Sequence, residues 1–144
     1  DIMTKKVFTV QAETKVEEVA RLLNKHNIHG VPVIENNKLA GIITESDFFV
    51  KDFSSLYLPS YIEFLKKAQF AKNLSGKQKK QTSELLKAKA KDIMTKDCLF
   101  VNSGTNVNKL IAIFKEKHIY TIPVVDKKNK VIGVVTLADI IKLI

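Results

Sequence analysis

The feature that most constrains this chain is an internal repeat. Residues 1–5 read DIMTK, and the same five letters recur at residues 92–96, an offset of 91. Further matched positions follow these five residues in the same order in both segments. The offset becomes 92 after a turn that is one residue longer in the second segment. The matched pairs include Pro32 with Pro123, Gly41 with Gly133, Thr44 with Thr136, and Asp47 with Asp139. Such an ordered series indicates two copies of one structural unit, at 1–50 and 92–144, separated by an insertion at 51–91.

Each copy predicts the element order strand, helix, strand, strand, helix. In the helix after the first short strand, apolar residues recur at i, i+3, i+4 and i+7, beginning at Val16 and at Val107. A β-branched run containing Pro32 or Pro123 then leads through turn-forming residues into a returning strand, which predicts a hairpin. Because about 50 residues bury too little apolar surface to be stable alone, we expect the copies to pack together with pseudo-twofold symmetry. The predicted fold class is α+β, with two equivalent clefts at the seam.

Local signals predict where the helices begin. Thr14 followed by Glu17 predicts a capping box at the first helix, and Thr105 is the predicted N-cap in the second copy. The last helix of each copy is predicted to begin near Ser46 and near Ala138. Proline confines its end of each β-branched run to a strand start or a sheet edge.

The segment between the copies is basic and helix-forming. Residues 51–91 contain ten lysines and three acidic residues, so this segment carries a net charge of +7, against +9 for the whole chain. Helices are predicted at 56–68 and 82–90, with a lysine cluster at 77–80 between them. One interpretation is a helical insertion with a solvated face, packed on the core or on a neighbouring subunit. The other is a surface that docks a partner or touches nucleic acid.

The sequence contains no constellation typical of an enzyme or a metal site. Its three histidines and one cysteine lack zinc-ligand spacing, phosphate-binding glycine loops are absent, and no activated nucleophile is visible. We therefore expect a non-enzymatic protein that requires no cofactor or metal. The single Cys98 excludes an internal disulfide framework, and we expect a reducing, cytoplasmic setting without a membrane span. The chain begins at Asp1 rather than Met, so we expect a trimmed chain or a piece of a longer protein.

Both copies end with a pattern whose side chains are able to bind a ligand. It reads Gly-apolar-apolar-Thr-x-x-Asp, at 41–47 and at 133–139. The threonine ends a strand, and the aspartate enters the first turn of a helix. Capping of that helix explains both residues. A carboxylate can also accept hydrogen bonds from two adjacent hydroxyls, as on a ribose. Both interpretations stay open from the residues alone.

These features together resemble a tandem pair of cystathionine-β-synthase (CBS) domains, called a Bateman module. The resemblance rests on Asp-Ile-Met-Thr at the start of each copy, the apolar-Pro-Val strand, and the closing Gly-apolar-apolar-Thr-x-x-Asp; it covers residues 1–50 and 92–144. It implies two β-α-β-β-α repeats packed sheet to sheet, and two such modules commonly form a disc-shaped homodimer. It also implies a regulatory module that binds an adenosine-containing ligand, such as AMP, ADP, ATP or S-adenosylmethionine, between the copies.

The resemblance further implies two sets of binding residues. In each cleft, the Thr and Asp of one copy hold the ribose and phosphate side, while the opening loop and apolar-Pro strand of the other copy hold the adenine. The first set is Ile42, Thr44, Asp47, Cys98, Leu99, Ile119, Tyr120, Thr121 and Ile122. The second set is Val134, Thr136, Asp139, Met3, Thr4, Val7, Phe8, Ile28, His29, Gly30 and Val31. Phosphates would point toward Thr4, Lys5, His29 or Lys96.

Several alternatives remain at this point. His29 either faces phosphate or is a surface or interface histidine, and Tyr120 either stacks on a base or fills the seam. Phe8 is large where the family often has a small residue, so it would partly block the second cleft. The insertion is longer than the family's usual linker, so its helices would cover a cleft or build a dimer contact. The competing function is a structural or protein-interaction module that works through 51–91 with empty clefts; nucleic-acid binding through 77–80 is a weaker third.

Overall fold

A computed structural model describes residues 2–48, 76 and 87–143 of the 144-residue chain. The helix predicted at 56–68 and the lysine cluster at 77–80 lie outside the described residues. Most of the helix predicted at 82–90 lies outside them as well, so these predictions about the insertion stay predictions.

The described elements follow the order that the repeat predicts. The first copy contains β1 (Val10–Gln11), α1 (Val16–His26), β2 (Gly30–Glu35), β3 (Lys38–Thr44) and a 3-10 turn (Glu45–Phe48). A short helix, α2 (Ala90–Ile93), runs from the end of the insertion into the start of the second copy. The second copy contains β4 (Val101–Asn102), α3 (Val107–Lys117), β5 (Thr121–Val125), β6 (Val131–Thr136) and α4 (Leu137–Ile141). The predicted final helices therefore begin close to the expected positions.

Each copy forms a three-stranded sheet of the same topology. In the first sheet β2 lies between β1, to which it is parallel, and β3, to which it is antiparallel. The second sheet repeats this arrangement with β5 in the centre. One face of α1 covers the first sheet, where Val16, Val19 and Leu23 are buried. The α+β fold class with two equivalent repeats is confirmed.

The two prolines lie inside the central strands, each at the third position. Pro32 pairs with β3, but β1 meets β2 only from Val33 onward. In the same way β4 meets β5 only from Val124 onward, beyond Pro123. Each proline therefore lies where its strand is paired with one neighbour only. On the unpaired side its missing N–H removes no hydrogen bond between strands.

The opening segment of each copy packs on the other copy. Met3, with Ile2, lies against the core of the second copy, which includes Phe114 and Ile122. Met94, with Ile93, lies against the core of the first copy. The two copies thus exchange their first residues, and neither core is completed without its partner.

Two inter-repeat bridges fix this exchange. The Thr4 N–H donates to the Val134 carbonyl at 2.8 Å, and the Val134 N–H donates back to Thr4 at 3.1 Å. The equivalent pair is formed by Thr95 and Ile42, with N···O distances of 2.9 and 3.1 Å. The same contact made twice by equivalent residues shows the pseudo-twofold relation between the copies.

Both predicted helix caps were wrong. The N-cap of α1 is Lys15, and the Thr14 hydroxyl instead accepts a hydrogen bond from the Gln11 N–H at 3.0 Å. The Val16 N–H donates to the Ala88 carbonyl at 2.9 Å, so backbone from the end of the insertion takes the place of a side-chain cap. In α3 the N-cap is Asn106, whose side chain accepts from the Asn108 N–H at 2.8 Å.

The adjacent Thr105 was predicted in that role, but asparagine is the stronger capping residue. The helix therefore begins one residue later than the threonine pattern indicates. The 88–91 segment also makes further backbone pairs with the first copy, since the Ala90 N–H donates to Thr14 at 2.7 Å and the Lys91 N–H donates to Ala12 at 3.0 Å.

Candidate functional site

Two cavities open at the seam between the copies. The first cleft has a volume of about 840 Å³, and the second cleft has a volume of about 430 Å³. His29, Tyr120 and Thr121 line both of them, so these residues lie between the two clefts. The strands β2 and β5 approach each other here: a Cβ built on Gly30 would lie 3.5 Å from the Cβ of Thr121.

The first cleft brings together most of the residues expected there. Those that line it are Ile42, Thr44, Cys98, Leu99, Ile119, Tyr120 and Thr121. Asp47 and Ile122 are not among its described lining residues. Ile122 points instead into the core of the second copy, where it is fully buried. The prediction that Ile122 contacts a ligand therefore concerns a side chain that packs in the core.

The second cleft shows the same pattern. The predicted residues that line it are Thr4, Val7, Phe8, Ile28, His29, Gly30, Val134 and Thr136. Met3, Val31 and Asp139 are not among its described lining residues. Val31 is fully buried in the first core, and Met3 packs on the second core. Strand alternation explains Val31, since it faces away from its cleft-lining neighbour Gly30.

The Thr-x-x-Asp pairs share one contact in the two copies, in which the aspartate Oδ2 bonds both the backbone N–H and the hydroxyl of the threonine. Asp47 Oδ2 accepts from the Thr44 N–H at 2.7 Å and is 3.2 Å from the Thr44 hydroxyl. Asp139 Oδ2 accepts from the Thr136 N–H at 2.9 Å and from its hydroxyl at 2.8 Å. The Asp139 N–H returns a bond to the Thr136 hydroxyl, which completes a capping box at α4. Capping is thus one role of this motif, and it holds each threonine at the cleft wall.

Sequence reasoning missed several lining residues. In the first cleft these are His29, Glu45, Ser46, Thr95, Asp97 and His118. In the second cleft they are Lys6, Asn27, Pro32, Tyr120, Thr121, Leu137 and Ala138. The repeat itself carried the signal for most of them, because each lies next to a matched position or is the equivalent of one in the other cleft.

His29 and Glu45 form a polar pair at the first cleft. His29 Nδ1 lies 3.1 Å from Glu45 Oε2, and the His29 side chain is 64% exposed. Of the four residues expected to face phosphate, Thr4 and His29 line a cleft, whereas Lys5 and Lys96 are not described as lining either one.

Aromatic side chains shape the second cleft. The Phe8 ring stacks on the His26 ring, with centroids 3.9 Å apart and an interplanar angle of 25°. Phe8 still lines the second cleft, which has about half the volume of the first. Tyr120 is 65% exposed and borders both clefts, so its ring is accessible to a ligand in either one.

Cys98 lies in the wall of the first cleft. Burial raises the pKa of its thiol above the ordinary value. Because the thiolate is the reactive form, this environment makes Cys98 a poor nucleophile, as expected for a wall residue.

Membrane-spanning helices and clusters of metal ligands are two kinds of feature that the described part of the chain lacks. Its helices include none with the length and hydrophobicity of a membrane span. Among the same residues, no group of three or more His, Cys, Asp and Glu side chains could hold a metal ion.

Comparisons with known proteins agree with this architecture. The CBS domain family model matches residues 1–52 and 90–144. An uncharacterised protein of Methanocaldococcus jannaschii, MJ1426, is 31% identical over 99% of this chain and 88% of its own length. The inosine-5′-monophosphate dehydrogenase of Thermoplasma acidophilum is 26% identical over 97% of this chain, which spans 22% of that enzyme.

A solved structure shares the fold. The CBS domain pair of protein MJ0100, in complex with 5′-methylthioadenosine and S-adenosyl-L-methionine, superposes with a TM-score of 0.68. It is 25% identical in sequence, and the alignment covers 99% of this chain and 91% of that one.

Proposed function

The chain belongs to the CBS domain family, and on that premise we propose that it is a regulatory module without catalytic activity that binds an adenosine-containing ligand in the clefts between its repeats. AMP, ADP, ATP and S-adenosylmethionine are the candidate ligands. The observation that carries the proposal is the pair of clefts, each walled by both copies and each bordered by a Thr-x-x-Asp corner.

The walls suit an adenine base. In the first cleft, Ile42 of one copy and Cys98, Leu99 and Ile119 of the other are apolar or weakly polar. In the second cleft, Val134 faces Val7, Phe8 and Ile28. Transfer of a flat aromatic base from water to a position between such side chains is favourable. Because β1 meets β2 only from Val33 onward and β4 meets β5 only from Val124 onward, we propose that backbone groups at the start of β2 and β5 read its polar edge.

The Thr-x-x-Asp corners suit a ribose. The Thr44 and Thr136 hydroxyls line the clefts, and each aspartate lies directly behind its threonine. In both copies Oδ2 is the oxygen that bonds the threonine, and an ionised carboxylate has further acceptor capacity on both oxygens. We propose that Asp47 and Asp139 accept hydrogen bonds from the ligand's hydroxyls while they hold the corner.

The exchanged opening segments explain how binding could be regulatory. Each cleft is bordered by residues of both copies, including Thr4 and Thr95 of the two inter-repeat bridges. A ligand that contacts both copies stabilises their mutual arrangement and changes the free energy of any state in which that arrangement differs.

The proposal extends to assembly and setting. Ile111 on α3 and Ile141 on α4 are exposed, at 42% and 61%, and we propose that they belong to a homodimer contact. The single cysteine of the chain supports a reducing, cytoplasmic setting.

Ligand binding by paired variants tests the proposal. Binding of AMP, ATP, adenosine and S-adenosylmethionine is measured by calorimetry on the wild type and on Asp47→Asn/Asp139→Asn, which keeps side-chain shape and removes both charges. Loss of charge-assisted hydrogen bonds worth about 1.5–3 kcal/mol predicts a fall in affinity of tenfold or more. Asp126→Asn is the matched control, because Asp126 lines neither cleft. Unchanged affinity in a folded double variant would show that the assigned site is wrong.

A further inference from the structure

The two clefts are built from equivalent residues but differ in charge. Asp97 lines the first cleft at the position that Lys6 occupies in the second, at the repeat offset of 91. Glu45 lines the first cleft at the position of Leu137 in the second, at the offset of 92. Among the described lining residues, the first cleft thus has two carboxylates and no lysine, whereas the second has one lysine and no carboxylate.

The shared histidine strengthens this difference. His29 lines both clefts, but its Nδ1 lies 3.1 Å from Glu45 Oε2, on the side of the first cleft. In the first cleft this imidazole therefore faces a carboxylate that competes with any anionic ligand for it. In the second cleft Lys6 adds a positive charge beside Thr4.

A ligand's phosphate responds strongly to such charges. Two unit charges separated by several ångströms in a partly solvated cleft interact enough to change a dissociation constant by about tenfold. Like charges weaken binding by that factor, and opposite charges strengthen it. The adenosine part of the ligand carries no charge, so the lining charges act mainly on its 5′ substituent.

We propose that the two clefts bind different classes of adenosine ligand. The first cleft binds an adenosine whose 5′ substituent is uncharged or cationic, and the second binds an adenine nucleotide whose phosphate lies toward Lys6. This division rests on the proposed function, because it assigns ligand classes to the clefts named there.

Thiol protection reports each cleft separately. Cys98 lines the first cleft, and its equivalent in the second is Val7. Labelling of Cys98 by iodoacetamide, at a pH high enough to ionise part of the thiol, therefore follows occupancy of the first cleft. A variant that carries Cys98→Val and Val7→Cys places the only thiol of the chain in the second cleft. Both proteins are titrated with adenosine and with AMP, which differ only in the phosphate.

The concentration that halves the labelling rate is the quantity compared. For Cys98 we expect adenosine to protect at a concentration about tenfold or more below that of AMP. For the thiol introduced by Val7→Cys we expect the reverse order. Calorimetry on both proteins checks that their binding stoichiometries agree.

A charge exchange provides the matched test. The double substitution Glu45→Leu and Asp97→Lys gives the first cleft the charges of the second, and it should shift protection of Cys98 toward AMP by tenfold or more. Asp97 itself raises the pKa of the Cys98 thiol, so labelling rates change with this variant and only the half-protecting concentrations are compared. The reverse exchange, Lys6→Asp with Leu137→Glu, should weaken AMP at the second cleft.

The outcomes separate this inference from the proposed function. If both thiols are protected with the same preference, or if neither charge exchange changes that preference, the division of ligands is overturned and the adenosine site stands. If neither ligand protects either thiol and calorimetry detects no binding, the proposed function falls, and this inference falls with it.

Discussion

Replacing Gly41 by alanine tests the exchange of opening segments, because the new methyl would meet the other copy's backbone. A Cβ built on Gly41 lies 2.6 Å from the Thr95 carbonyl oxygen and 2.9 Å from Met94 Sδ. That carbonyl is held in place by the Ile42 N–H at 3.1 Å, and the Thr95 N–H donates back at 2.9 Å. The methyl can be accommodated only if this inter-repeat bridge opens.

The cost follows from these contacts. Overpacking costs about 1–3 kcal/mol, and weakening two backbone hydrogen bonds adds about 1 kcal/mol. We expect Gly41→Ala to lower the free energy of unfolding by about 3 kcal/mol. The three atoms nearest a Cβ built on Gly133 all belong to the Met3 side chain, with Sδ at 2.5 Å, and a flexible thioether can turn aside. We expect Gly133→Ala to lose about 1 kcal/mol.

The assay is urea unfolding at 25 °C followed by circular dichroism, with a check that the slope of the transition stays constant. Double variants sharpen the comparison. Met3→Ala should relieve Gly133→Ala, with a coupling of about 1 kcal/mol, whereas Met94→Ala should barely relieve Gly41→Ala because the Thr95 carbonyl remains. Equal losses at the two glycines, or relief in both cycles, would refute the reasoning.

Two further predictions concern the edges of the fold. Glu13 forms ion pairs with Lys89 and Lys91, which lower the pKa of its carboxyl from 4.5 to about 2. The interactions that lower this pKa stabilise the folded state at pH values above 4.5, the pKa in the unfolded state. This stabilisation is lost as pH falls toward 2. Urea unfolding should therefore show Glu13→Gln less stable than wild type at pH 6, with a difference that shrinks between pH 4.5 and 3; a constant difference would contradict the ion-pair account. Asn106→Ala should cost about 1 kcal/mol through loss of the α3 cap, while Thr105→Ala should cost less than about 0.5 kcal/mol. The reverse ranking in thermal unfolding would mean that the threonine is the cap.

Much of the fold could be predicted from the sequence because its signals are local. The apolar spacing from Val16 specifies one helix face, and the turn residues between β-branched runs specify hairpins. The repeat then constrains the second copy to the same topology. Helix caps were less predictable, since the first turn of α1 is satisfied by the Ala88 carbonyl from a distant part of the chain.

The exchange of opening segments could not be predicted from local sequence patterns. Nothing within Asp-Ile-Met-Thr shows that Met3 packs on the second copy or that Met94 packs on the first. For the same reason the repeated Gly41 and Gly133 were recognisable as a motif but not as the room left for those methionines. Both glycines lack a positive φ, so space rather than backbone conformation explains them.

The candidate clefts were predictable in outline but not in charge. The predicted residues included most of the apolar walls and both threonines, because these residues occupy equivalent positions in the two copies. Glu45 and Asp97 were missed because each breaks the repeat: their equivalents are Leu137 and Lys6. Comparing the copies for differences, rather than for identities, would have found them.

The most direct test of the central claim is a residue-level map of where an adenosine ligand binds. Amide resonances of the ¹⁵N-labelled chain are followed while adenosine and AMP are titrated. The account predicts that the largest changes occur at the clefts, among Thr44, Tyr120, Thr121 and Thr136, with small changes in the buried faces of α1 and α3. Changes confined to residues 49–86, or none with either ligand at saturating concentration, would contradict it.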